Sequence, residues 1–71
     1  MAIFHISFQL DGKNHSISAE SNYPTKELIE KKEVSELIVE ENAFQIIKTY
    51  MIQHKLKGPI NPETVVYNYE M

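Results

Sequence analysis

Apolar and polar residues alternate from Ile3 to Leu10. Phe4, Ile6, Phe8 and Leu10 share one face; His5, Ser7 and Gln9 share the other with Ile3. A period of two marks a half-buried strand. Asp11-Gly12 follows, and both central positions of a type I′ hairpin turn need a positive φ, which this pair accepts. A two-residue loop predicts Phe8 opposite His15, Ile6 opposite Ile17 and Phe4 opposite Ala19. On the other face it sets Ser7 against Ser16 and His5 against Ser18. Apolar then meets apolar and polar meets polar everywhere except at His15.

Ser21-Asn22-Tyr23-Pro24-Thr25 breaks the strand. Proline suits the first turn of a helix and Thr25 can cap one, so a short helix is expected over Lys26–Lys32, anchored by Leu28 and Ile29. It does not continue to residue 39, because Leu28, Ile29, Val34, Leu37 and Ile38 scatter around a helical axis. Residues 34–40 fit either a short strand around Leu37-Ile38-Val39 or the opening turns of the next helix, and the strand is favoured. Running the next helix back through them would place Glu36 and Glu40 on its apolar face.

The clearest helix spans Asn42 to Lys57. Asn42 and Gln45 have the spacing of a capping box, and Gly58-Pro59 follows as a stop. Lys55 and Lys57 then fall in the last turn, where positive charge meets the negative end of the helix dipole. Ala43, Phe44, Ile46, Ile47, Tyr50 and Met51 form its core stripe, with His54 near the middle of that stripe. After a loop at Pro59–Pro62, Thr64–Met71 alternates again, with Val65, Tyr67, Tyr69 and Met71 on one face.

The order strand, strand, short helix, short strand, longer helix, strand implies a small two-layer α+β domain over residues 1–71. A mostly antiparallel sheet would carry its helices on one face and turn Ser7, Gln9, Ser16 and Ser18 to water.

Size changes this picture most. A 71-residue chain buries only about 60% of its unfolded surface and is marginally stable. Small domains offset that with disulfides, a metal or self-association. There is no cysteine, so the expectation shifts towards a homodimer. No apolar run approaches the roughly 18 residues of a membrane span. The opening Met-Ala-Ile-Phe-His-Ile has no basic segment ahead of an apolar stretch, so the chain reads as cytoplasmic.

Charge argues against nucleic acid. The formal net charge is −3 and all seven cations are lysine. Arginine, the usual residue for bidentate base and phosphate contacts, is missing. Lysine-, isoleucine- and asparagine-rich usage fits an A/T-rich genome of a bacterium or its phage. The charges are also segregated. Residues 20–41 hold seven glutamates against Lys26, Lys31 and Lys32, whereas 42–58 hold Lys48, Lys55 and Lys57 and no acid. Such segregation gives either two differently charged solvated surfaces or a dipolar surface that orients a partner.

Candidate chemistry is sparse. His5 and His15 come from one hairpin without a shared face, and no H-x-x-H, H-E-x-x-H or calcium-loop pattern occurs, so no metal or other cofactor is expected. The two glycines, Gly12 and Gly58, both sit in turns; there is no phosphate cradle and no G-x-S-x-G. A catalytic role is not assigned to any residue. His54, near a helix C-terminus, is a candidate pH-sensitive contact.

The most informative pair is Ile52 and Leu56, one turn apart and opposite the core stripe, flanked by Gln45, Lys48 and Lys55. Either they pack on the short helix or the 34–40 segment, or they form an exposed apolar strip for a partner. The leading expectation is a small non-catalytic protein-interaction module that self-associates, of the regulator or inhibitor type and fitting a phage- or plasmid-borne protein. Its surface would be Ile52, Leu56, Lys48 and Lys55, or the edge of the final strand. The alternative is a weak nucleic-acid binder using Lys48, Lys55, Lys57 and Tyr50. A small hydrolase or nuclease is the third class.

Overall fold

The computed structural model describes residues 1–71. Two strands, β1 (Ala2–Leu10) and β2 (Lys13–Ser21), form the hairpin. Asp11 and Gly12 have φ of 51° and 78°, as a type I′ turn requires. The register follows from that loop length: Phe8 pairs with His15, Ile6 with Ile17, Phe4 with Ala19, Ser7 with Ser16 and His5 with Ser18. A third strand, β3 (Val66–Glu70), pairs antiparallel with the free side of β1. The sheet order is β2-β1-β3, so β1 is central and the other two are edges.

The centre is also where the core lies. Ala2, Phe4, Ile6, Phe8 and Leu10 are all buried, because one face of β1 is covered and its edges are paired on both sides. The cover is α2 (Glu36–Gln53), which adds Val39, Ala43 and Ile47 at four-residue intervals. Ala43, fully buried, keeps the helix close to the strand. Removing an Ile47 or Phe4 side chain from water stabilises the fold by about 1.5–3 kcal/mol each. Only nine of the 71 residues are buried. A core this thin leaves the sides and the back of α2 uncovered.

The connections are held by side chain to backbone bonds. In α1 (Lys26–Glu30), the Thr25 hydroxyl accepts from the Leu28 N–H at 3.2 Å. Neither expected anchor of α1 enters the core: Leu28 is half-buried and Ile29 is exposed. Pro24 is buried beneath the turn, and the Ser35 N–H donates to the Tyr23 hydroxyl at 2.7 Å. A 3₁₀ turn at Pro62–Thr64 precedes β3. The Gln9 N–H donates to the Thr64 hydroxyl at 3.0 Å, and Leu10 bridges Ile60. These contacts fix how the chain returns to the β1 edge.

The strand expected at 34–40 does not form. Residues from Glu36 onwards are helical, and Ser35 stands at the N-cap. The objection to that helix was the placement of Glu36 and Glu40. Both remain exposed, at the flank where Glu36 shares a hollow with Tyr67 and Tyr69. Asn42 is therefore not a cap but a mid-helix residue. Its amide donates to the Ile38 carbonyl at 2.9 Å, and its oxygen accepts from the Ser21 hydroxyl at 3.3 Å. The helix also stops earlier than Lys57, at Gln53.

Candidate functional site

The C-terminal end of α2 decides how the expected site is arranged. His54 is the C-cap, and Lys55 takes a left-handed φ of 53°. The Leu56 N–H then donates back to the Met51 carbonyl at 2.8 Å, and the Lys55 N–H to the Ile52 carbonyl at 3.2 Å. This is a Schellman closure with lysine in the position usually held by glycine. It reverses the chain between Ile52 and Leu56, so the two do not share a helix face. Ile52 projects into solvent at 77% exposure, whereas Leu56 is half-buried against the core.

Lys48, Lys55 and Lys57 do converge. With Met51, Ile52 and Leu56 they line a shallow surface hollow of about 510 Å³. Its floor is apolar and its rim is cationic. Neither Lys55 nor Lys57 is in the last helical turn, since both follow the helix. Tyr50 is not part of this hollow. Its ring packs 6.2 Å from Phe8, 6.0 Å from His15 and 4.4 Å from His54, and its hydroxyl lies 3.5 Å from His15 Nδ1. A Tyr50 committed to these contacts is not available to stack on a base beside the lysines. His54 is exposed beside Tyr50, outside the core stripe.

The outer side of α2 carries more apolar surface than the sequence singled out. Leu37 is 65% and Ile38 42% exposed. Leu37, Glu41, Lys48 and Ile52 fall within about 60° of one another at 100° per residue, on the far side of the helix from Val39, Ala43 and Ile47. Phe44 flanks this stripe and is half-buried. A hollow of about 460 Å³ runs past Leu37, Glu41, Phe44 and Lys48. It shares Lys48 with the lysine-rimmed hollow, so the two lie one after the other along the helix. Residues 34–40, read as strand, hid the first of them.

Two other regions have defined geometry. On the open face of the sheet, His5 Nδ1 lies 2.9 Å from the Ser18 hydroxyl, and His5 Nε2 lies 3.2 Å from Glu70 Oε1. A hydroxyl, an imidazole and a carboxylate in that order have the connectivity of an activated nucleophile. His5 and Glu70 line none of the five principal surface hollows, whereas Ser18 lines the one beside β2. The three side chains instead tie β2, β1 and β3 together across the sheet. His15, by contrast, lies on the covered face, stacked 5.4 Å from Phe8, so the two hairpin histidines point to opposite sides.

The second region is a hollow of about 410 Å³ between β2 and the flank of α2, lined by Ile17, Ala19, Asn42, Ile46 and Thr49 among others. Near the other flank, Tyr67 stands beside Val34, Glu36 and Val39. Burial raises the Tyr67 phenol above its usual pKa, and the Glu40 and Glu36 carboxylates raise it further. No family model, no curated protein and no solved structure matches this chain. No helix is long and apolar enough to cross a membrane.

Proposed function

We propose that this chain is a small non-catalytic protein-interaction module, acting as a regulator or inhibitor by steric and electrostatic contact, and that it docks through the outer face of α2. The observation that carries this reading is the exposure of Leu37 and Ile52, 65% and 77%, on a helix whose opposite side buries Val39, Ala43 and Ile47. Large exposed apolar side chains on one helix face, interspersed with charge, support a docking role for that face. The Lys48, Lys55 and Lys57 rim supplies charge selectivity, favouring an acidic partner surface. The expected homodimer and the cytoplasmic location belong to the same reading.

The test is paired capture. A tagged wild-type chain and a Leu37→Glu/Ile52→Glu variant of matching helical content are compared for what they retain, copies of the chain itself included. Loss of the retained species from the variant supports the reading. Identical retention by both chains would overturn it.

The convergence of the same three lysines favours a second reading, a weak nucleic-acid binder. Its affinity for single-stranded oligonucleotides would fall steeply with salt and flatten on replacing Lys48, Lys55 and Lys57 with glutamine. The involvement of Tyr50 in that reading is dropped, since its ring is engaged elsewhere.

A further inference from the structure

We propose that the partner of the α2 outer face is a second copy of this chain, with the two α2 helices antiparallel about a two-fold axis passing between Phe44 and Gln45. This rests on the reading of that face as the interaction surface, and it names the occupant.

Charge favours an antiparallel copy. Along the chain from Glu33 to Ile47 there is no lysine, and from Asn42 to Pro62 there is no acid. The α2 outer face is therefore acidic at its N-terminal half, through Glu41, and basic at its C-terminal half, through Lys48 with Lys55 beyond. A parallel copy would set like charge on like. An antiparallel copy sets opposite charge on opposite, and it also opposes the two helix dipoles.

The spacing along α2 fits the same axis. Glu41 and Lys48 are about 10 Å apart along the helix axis, and Leu37 and Ile52 about 22 Å apart, at 1.5 Å per residue. Both pairs are centred on the same point, between Phe44 and Gln45. One two-fold axis therefore sets Leu37 opposite the partner's Ile52 and Glu41 opposite the partner's Lys48, each twice. The two most exposed apolar residues of α2 cover each other in the same step that pairs the charges. Such self-complementarity is what an isologous interface requires. Phe44 lies beside the axis, where a half-buried aromatic ring acts as an anchor.

The groups are also available. The only contacts of ion-pair length in the molecule are Lys31–Glu27 and His5–Glu70, the latter charged only with a protonated imidazole, so Glu41 and Lys48 hold no partner within the chain. The sheet lies on the opposite side of α2 and does not obstruct the approach. An 18-residue helix is only about 27 Å long. Its interface falls at the small end for stable complexes, and the dimer is accordingly weak and concentration-dependent.

The experiment measures solution molar mass by light scattering from about 10 µM to 1 mM for the wild type, Glu41→Lys, Lys48→Glu, their equimolar mixture and the double variant. In the single variants both cross-helix pairs become repulsive, and self-association weakens at least about tenfold. In the mixture one chain presents two lysines and the other two glutamates, so a heterodimer forms. The double variant restores the homodimer. Leu37→Lys and Ile52→Glu make an independent pair for the same register, each weak alone and restored on mixing. A wild type that stays at 8.3 kDa throughout, single variants that associate like the wild type, or mixtures that fail to recover would each overturn the proposal. If the wild type is monomeric yet the Leu37→Glu/Ile52→Glu variant still loses captured partners, the docking face stands and its occupant is a different protein.

Discussion

Ile52 and Leu56 lie on either side of a chain reversal: Ile52 is in the last full turn of α2 with 77% of its surface exposed, and Leu56 folds back to donate its N–H to the Met51 carbonyl. The two residues therefore answer substitution differently. Ile52→Glu should leave the unfolding midpoint within the small range of surface changes, about 0.5 kcal/mol. Leu56→Glu should destabilise by about 1–3 kcal/mol, since it sets a carboxylate against the core edge. Urea unfolding of both variants checks this. Equal effects would mean the two residues share one environment.

The weight carried by Ile47 predicts a larger effect. Ile47 is fully buried where α2 crosses the sheet. Truncation to alanine should cost about 2–5 kcal/mol. A domain of this length holds roughly 4–10 kcal/mol in total. Thermal melting followed by circular dichroism should show a strongly lowered midpoint, or no cooperative transition.

The hairpin turn makes a purely conformational prediction. Gly12 has a φ of +78° and nothing within 4 Å of where a Cβ would stand. Gly12→Ala should therefore destabilise through backbone strain alone, by about 1 kcal/mol. That corresponds to a melting temperature about 4–8 °C lower.

Tyr67 gives the fold an alkaline limit. Burial, then Glu40 and Glu36, hold its phenol protonated in the folded chain to higher pH than in the unfolded one. The resulting stabilisation is complete below the unfolded pKa of about 10 and is lost as pH rises through the raised folded value. Tyr67→Phe should flatten the fall in stability above that pH relative to wild type. An unchanged slope in chemical unfolding at pH 9 to 11 would contradict the assignment.

The hairpin was legible because two independent signals agreed: the period of two, and Asp11-Gly12 with its required positive φ. The ends of α2 were not. Its left-handed closing residue is Lys55, not glycine, so Gly58 marked the stop too late. At the other end, Asn42 offered a cap sequence while its side chain serves the Ile38 carbonyl and Ser21 instead. Glu36 and Glu40 argued against helix, yet both stay exposed at the flank of α2 beside Tyr67. That error also concealed Leu37 as the counterpart of Ile52. The Ser18–His5–Glu70 arrangement needed knowledge that β3 lies beside β1 rather than β2, which no local pattern contains. The segregation of acids before residue 42 and lysines after it was visible from the start, but it acquired a direction only once both halves lay on one helix.

The proposed second copy on the outer face of α2 is tested most directly by a map of backbone amide chemical shifts as the protein is concentrated. Shifts that grow with concentration along Leu37, Glu41, Phe44, Lys48 and Ile52, with the strand edges unchanged, are the predicted result. Shifts running instead along β2 at Lys13–Ser21 or β3 at Val66–Glu70, or none at all, would contradict it.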